Sequence, residues 1–255
     1  MIASMQVAGV RIDSVDLKSA VDLIETAVSD RAPMQIATVN LDFLVRAQRS
    51  DELRRVLNLS ELNVADGMPL VWLSKLAGRP LPGRTAGSDL VPLALSRLAA
   101  MRARVFLLGG ERAVALDAGQ RLVAAYPGLV IAGHCEPPLA AIDRMPNRSI
   151  IRLIQTARPD VLLVALGNPK QELWIARHRQ ALGVSVAIGV GCTLDLLAGN
   201  LRRAPRWMQE SGLEWLFRLA QEPRRLFTRY VTDGLWLARF AVGAAYERFA
   251  PRGLA

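Results

Sequence analysis

Six short apolar runs rich in branched side chains recur along the chain, with longer stretches of helical spacing lying between them. That alternation marks strand, crossover helix, strand units around a parallel sheet, because one element cannot satisfy both a two-residue and a 3.6-residue period. It predicts an α/β class: a Rossmann-like parallel sheet with flanking helices. Strands are expected over 34–39, 62–65, 104–108, 129–132, 161–165 and 185–190. Helices are expected over 15–28, 51–59, 88–101, 113–126, 148–157 and 171–182.

All but one of these runs end in groups that a core does not need: Thr38 and Asn40, Asp66-Gly67, Gly109-Gly110, Gly167-Asn168-Pro169 and Gly189-Val190-Gly191. In an open parallel sheet the carboxyl ends of the strands form the ligand crevice, so these residues are expected to cluster. Gly109, Gly110, Gly189 and Gly191 would let a ligand approach the backbone closely. The run Gly167-Asn168-Pro169-Lys170-Gln171-Glu172 sets Lys170 at a helix start, where backbone N–H groups also favour an anion. Neither GxxxxGK[ST] nor GxGxxG occurs there, which leaves ATP hydrolysis and NAD binding of the usual types unsupported.

Several of these residues admit two readings. Asp66 can be a base at a sharp strand end, or a cap for a helix beginning near Met68. Thr38 and Asn40 can hydrogen-bond a sugar or a diphosphate, or cap a helix beginning near Leu41. Arg84, in a loop with little apolar content, can hold a phosphate or stand solvated. Asp195 can accept from a ribose hydroxyl or remain an exposed loop acid.

The formal net charge is +9, and all but Lys18, Lys75 and Lys170 of the 32 basic residues are arginine, the side chain suited to gripping phosphate with two donors. An anionic partner is therefore expected. Cys135 and Cys192 lie far apart without a zinc or disulfide pattern, which fits a reducing cytoplasm. His134 and His178 stand apart from any triad arrangement. No DxD pair is present, so catalysis is expected without metal or other cofactor, Arg84, Lys170 and helix dipoles stabilising a leaving diphosphate instead. The N-terminus lacks a signal-peptide pattern, and no uncharged apolar stretch is long enough to span a bilayer.

Character changes after residue 200. The remaining stretch carries ten arginines interleaved with aromatics that include Trp207, Trp215, Trp236, Phe240, Tyr246 and Phe249. A helix from Pro223 would gather Phe227, Val231, Ala238, Ala241, Ala245 and Phe249 on one side and Arg225, Arg229, Asp233 and Glu247 opposite, with Trp236 and Phe240 at the boundary. Such a helix either lies in a headgroup layer or packs on the core with a solvated back. Residues 1–200 are accordingly read as a core and 201–255 as an appendage.

The chain resembles the WecG/TagA/CpsF glycosyltransferases, glycosyltransferase family 26. The resembling stretches are Thr38-Val39-Asn40, Ala65-Asp66-Gly67-Met68-Pro69, Arg84-Thr85-Ala86-Gly87-Ser88-Asp89, Phe106-Leu107-Leu108-Gly109-Gly110, Tyr126-Pro127-Gly128, the Gly167 to Glu172 run, Gly189-Val190-Gly191, Arg203-Ala204-Pro205, Gly212-Leu213-Glu214-Trp215, Arg218-Leu219 and Glu222-Pro223-Arg224-Arg225. The resemblance implies an inverting, metal-independent transfer from a UDP-sugar to an undecaprenyl-diphosphate-linked acceptor in cell-envelope polysaccharide synthesis, at the inner face of the plasma membrane. It implies Asp66 as base, with Thr38, Asn40, Arg84 and Gln171 around the diphosphate and reacting sugar. The glycine turns, Lys170 and Asp195 would then hold the nucleotide. Arg218, Arg225 and Arg229 look like the arginines that the family's appendage brings to the lipid diphosphate, and the appendage's Trp236 and Phe240 would meet the membrane surface. Cys192-Thr193 departs from the family's usual residues at the nucleotide pocket. The oligomeric state stays open.

Two other classes remain. A basic nucleic-acid-binding module would use the arginine-rich C-terminus but gives Asp66 and the glycine turns nothing to do. A nucleotide-sugar sensor would bind without turnover. The transferase reading expects no nucleic acid.

Overall fold

The computed structural model describes residues 2–111 and 113–249, with side chains through residue 242 in the last helix. The chain opens with a hairpin, β1 (Ser4–Val7) and β2 (Val10–Asp13), which precedes α1 (Leu17–Ser29). Then follow β3 (Met34–Val39), α2 (Leu41–Ala47), α3 (Asp51–Leu59), β4 (Leu62–Ala65), α4 (Met68–Leu76), α5 (Gly87–Ala100) and β5 (Arg104–Gly109). The second half runs through α6 (Val114–Ala125), β6 (Val130–Cys135), α7 (Asn147–Ala157), β7 (Val161–Ala165), α8 (Lys170–Leu182), β8 (Val186–Gly189) and α9 (Thr193–Ala198). Three helices close it: α10 (Arg206–Glu210), α11 (Glu214–Gln221) and α12 (Pro223–Phe249).

β3 to β8 form one six-stranded sheet in the order β4-β3-β8-β7-β5-β6, and every neighbouring pair is parallel. The α/β reading is borne out, and each expected strand and helix is present with ends shifted by a few residues at most. Alternation along the strands separates the two faces. On β5 and β7, Val105, Leu107, Val161 and Leu163 pack with α1, α5, α6 and α9, whereas Phe106, Leu108, Leu162 and Val164 pack with α7 and α8. At the β3–β4 end that second face is completed by Ala37, Val39 and Ala65 with the hairpin, α2 and α4.

The hairpin is an element that periodicity did not predict. Its strands have only four residues each, and its turn is Ala8-Gly9, both at positive φ, instead of the Asn-Gly pair that signals a tight hairpin. It is fastened by side chains: Asp13 accepts from the Asn63 N–H at 2.8 Å, and the Asn63 amide donates to the Arg11 carbonyl at 2.9 Å.

α12 runs across α2 and α4 on one side and α11 on the other. Its inward stripe is Leu226, Trp236, Leu237 and Phe240; Leu226 is buried, and the other three pack on the hairpin and α2–α4 cluster. Trp236 and Phe240 stack with ring centroids 4.9 Å apart. Their placement corrects the expectation of a membrane boundary, because the apolar ground beneath them is the core itself. Asp233, expected on the outer charged side, is also buried. The opposite stripe, Phe227, Val231, Ala238 and also Leu235, is exposed. The side chains of Ala245, Tyr246, Glu247 and Phe249 lie outside the described residues.

Candidate active site

Three neighbouring strands, β4, β3 and β8, end side by side, and the residues that follow them meet in one pocket of about 420 Å³. Asn40 comes from the end of β3, Asp66 from β4 and Cys192 from the turn after β8. The outer wall comes from elsewhere in the chain: Trp72 of α4, Glu214, Trp215 and Arg218 of α11, and Arg229 and Tyr230 of α12. The appendage sits this close because Gly212 lies against α4; a Cβ there would come within 2.9 Å of the Trp72 ring.

Asp66 is half-buried at the rim of β4. Its N–H donates to the Val39 carbonyl at 2.7 Å, while Thr85 N–H donates to the Ala65 carbonyl at 2.8 Å and brings the Arg84 loop alongside. The cap of α4 is Gly67 at φ 124, with no side-chain capping bond, so the helix-cap reading of Asp66 fails. Among the described residues its carboxylate takes no hydrogen bond and is left facing the pocket. Burial pushes its pKa up to about 6; Arg84 and Arg218 oppose that rise, and Glu214 and Asp89 add to it.

Arg84 and Arg218 face this carboxylate, Arg203 and Arg229 line the same pocket, and each of the four is held by acids. Arg84 pairs through Nη1 with Glu214 and through Nη2 with Asp89 at 2.9 Å, and Arg203 also pairs with Asp89. Arg229 lies 3.4 Å from Asp42 and 3.7 Å from Asp233. Asp42 in turn accepts from Asn168 at 2.7 Å, which ties the loop after β7 to the same wall. Burial, then the nearby Asp42, raises Asp233 to about 6, against the pull of Arg229 and Arg46. Arg218 is 3.8 Å from Glu222 and faces Asp66, Cys192 and Tyr230. A pocket that sets acid-held arginines around one unbonded carboxylate can bind a diphosphate and remove a proton beside it. Among the described residues no three acidic, histidine or cysteine side chains converge as metal ligands.

The sequence profile of the glycosyl transferase WecG/TagA/CpsF family matches residues 5–251. This chain belongs to that family. It is 33% identical over 218 residues to an N-acetylglucosaminyldiphosphoundecaprenol N-acetyl-beta-D-mannosaminyltransferase of Bacillus spizizenii, covering 84% of this chain and 83% of that protein. A Bacillus subtilis protein of the same name is 32% identical, with 82% of this chain and 80% of the relative covered. A Staphylococcus aureus one is 28% identical, with coverage of 88% and 87%. As a WecG/TagA/CpsF protein the chain is a glycosyltransferase.

Of the residues that sequence reasoning singled out, Asn40, Asp66, Arg84, Arg218 and Arg229 line the pocket of this family member. Asn40 also caps α2, accepting from Phe43 N–H at 3.3 Å, so its helix-cap reading is borne out. Thr38 does not reach the pocket lining: it is buried, and its hydroxyl donates to the Gly189 carbonyl at 3.1 Å. Gln171 is also buried. Its amide donates to Glu172 at 2.7 Å and its carbonyl accepts from Gly191 N–H at 3.1 Å, a brace under the β8 turn.

The glycines have internal reasons as well. A Cβ on Gly109 would strike the Ala165 carbonyl of β7, one on Gly110 would come within 2.8 Å of Val114, and one on Gly189 within 2.7 Å of the Gln171 amide. Gly191 sits at φ 49 beside Gln171, while Gly167 has open space around it. Lys170 donates to the Ala140 carbonyl at 3.2 Å, and Arg225 pairs with Glu222 at 2.5 Å on the exposed side. Asp195 is half-buried in the first turn of α9, and neither it nor Arg225 lines the pocket.

Four pocket-lining acids escaped sequence reasoning as site residues: Asp42, Glu214, Glu222 and Asp233. Glu214 stood inside a quoted stretch, Gly212-Leu213-Glu214-Trp215, but only the docking of α11 reveals that it reaches Arg84.

Proposed function

We propose that this glycosyltransferase moves an N-acetylmannosamine-type or glucose-type sugar from a UDP-sugar to an undecaprenyl-diphosphate-linked sugar in cell-envelope polysaccharide synthesis, with inversion and without metal. The observation that carries the reading is the half-buried, unbonded carboxylate of Asp66, with its pKa near 6, in a pocket ringed by Arg84, Arg218 and Arg229. At neutral pH that carboxylate is mostly ionised yet far more basic than a solvated aspartate. It takes the proton of the acceptor hydroxyl as that oxygen attacks the anomeric carbon. The bond from that carbon to the donor diphosphate breaks on the opposite face, and the arginines offset the charge that develops on the leaving group.

The names of the relatives favour an acceptor whose first sugar is N-acetylglucosamine and a transferred N-acetylmannosamine. Thr38 and Gln171 support the site from beneath, and Asn40 borders the sugar. The glycine turns after β5, β7 and β8, with Lys170 and Asp195, form the nucleotide side along the same sheet edge. Arg218, Arg225 and Arg229 serve the lipid diphosphate. Residues 201–255 act as a docking appendage, and the exposed stripe of α12 meets the inner membrane surface; no helix among the described residues is long and apolar enough to cross a membrane.

The nucleic-acid reading loses ground, since Arg203, Arg218 and Arg229 turn into acid-lined pairs instead of forming an open basic stripe. The deciding assay follows UDP release and lipid product with UDP-N-acetylmannosamine and N-acetylglucosaminyl-diphosphoprenol, for wild type and Asp66→Asn. Transfer by the wild type with an inverted linkage, insensitive to EDTA, fits. UDP binding without turnover by the wild type would instead make the protein a sensor.

A further inference from the structure

Glu214 is a carboxylate for which the transfer chemistry above has no task. It is the first residue of α11, lines the pocket, and reaches Arg84 across 130 residues of chain. Arg84 is thereby gripped on both terminal nitrogens: Nη1 by Glu214, and Nη2 by Asp89 at 2.9 Å and more loosely by Gln209 at 3.5 Å. All three charged side chains are at most about a quarter exposed. Two carboxylates share that guanidinium, and with Arg203 on Asp89 the four charges sum to zero. Arg203 balances Asp89, but among the described residues no second cation pairs with Glu214. A fastening of α11 to the core needs only a neutral hydrogen bond, whereas a carboxylate at this place also cancels guanidinium charge beside the pocket.

We propose that Glu214 is a positioning residue of the transfer reaction, which holds Arg84 toward the pocket and, together with Asp89, offsets its charge so that Asp66 can act as a base among arginines. The inference rests on the reading of Asp66 as base. Arg84 and Arg218 lower the proton affinity of Asp66, while Glu214 and Asp89 raise it. The Cys192 thiol also faces that carboxylate, and Arg203, Arg229, Glu222 and Asp233 line the remaining pocket. Unopposed arginines would leave a carboxylate too weak to take a proton from a sugar hydroxyl, since general-base efficiency falls with basicity. Because Glu214 belongs to α11, the tuned base exists only where the appendage is docked.

The test uses full-length Glu214→Gln, which keeps size and hydrogen bonding to Arg84 but removes the charge, beside Glu214→Asp, Asp66→Asn and wild type. Carboxyl NMR titration of the free protein, with the Asp66 signal assigned by its loss in Asp66→Asn, reads the base directly. In Glu214→Gln its midpoint is expected to fall by roughly half a pH unit or more, the scale of one charge removed at a few ångströms. Glu214→Asp restores it in part. The acid limb of kcat/KM moves the same way, and neutral-pH kcat drops roughly three- to tenfold while KM for the UDP-sugar does not rise. An unmoved midpoint, or a loss confined to KM with the limb in place, overturns the proposal. If Glu214→Gln does not fold, Asp89→Asn poses the same question from the core side. Full activity in Asp66→Asn would sink the base assignment itself; an inactive Asp66→Asn beside a normally titrating Glu214→Gln sinks only the role of Glu214.

Discussion

Asp66 holds its proton more tightly in the folded chain than a solvated aspartate does, chiefly because burial disfavours the charge. Two consequences follow. For activity, the base must be ionised, so kcat/KM is expected to fall about tenfold per pH unit below about 6. For stability the sign is opposite to that of a salt-bridged carboxylate. A folded pKa above the ordinary 3.8 contributes stability that is complete below 3.8 and is lost as pH rises through about 6. Asp66→Asn should therefore raise Tm at pH 7.5 by roughly 2–4 °C, the effect of about 1 kcal/mol in a chain this long, while turnover drops ~10²-fold. Calorimetry and a turnover assay on one preparation check both. An unchanged or lower Tm would mean the carboxylate is better solvated than its place in the pocket implies.

α12 shows how one element can be read correctly in type while one of its faces is missed. Its period predicted a helix with one apolar face; the structure gives it two. Trp236, Leu237 and Phe240 of the inward stripe seal the hairpin and α2–α4 cluster, and the outward stripe of Phe227, Val231 and Leu235 is open. These faces make separate predictions. Trp236→Ala should destabilise by about 2 kcal/mol, less than a fully buried tryptophan because the ring is only partly covered, as chemical denaturation would measure. The double substitution Phe227→Asp with Leu235→Asp, eight residues apart and so on one side, should leave the unfolding midpoint nearly in place. It should also abolish co-sedimentation with anionic vesicles. Vesicle binding that survives the double substitution would assign the open stripe to something other than a membrane.

At the scale of the whole molecule the acid that counts is Glu172 of α8, beneath the crevice. It is buried, it accepts from Gln171, and burial pushes its pKa up to about 8. At neutral pH it is neutral in the folded chain and would be charged in the unfolded one. Its stabilisation is thus full below 4.5 and lost as pH rises through about 8. Unfolding free energy should decline between pH 6 and 8, above the window of Asp66, and Glu172→Gln should flatten that decline. Denaturation at several pH values tests this, and an equally steep decline in the variant would place the titration elsewhere.

The strands of the sheet and most flanking helices were legible because their evidence is local: a two-residue or 3.6-residue apolar period records which sides of an element are buried, whatever buries them. Asp66 and Asn40 were legible for a related reason, since polar groups that end a buried strand need an explanation at the spot. The hairpin was not, because its turn lacks the usual residues and its hold on β4 runs through Asp13 and Asn63, fifty positions apart. Nor did local pattern separate Thr38 and Gln171, which face inward, from Asn40, which reaches the pocket. The charge balance around Asp66 belongs wholly to the tertiary structure. Electrostatic coupling depends on distance in space, and Glu214 and Arg218 join Arg84 and Asp89 only when α11 lies down beside the end of β4.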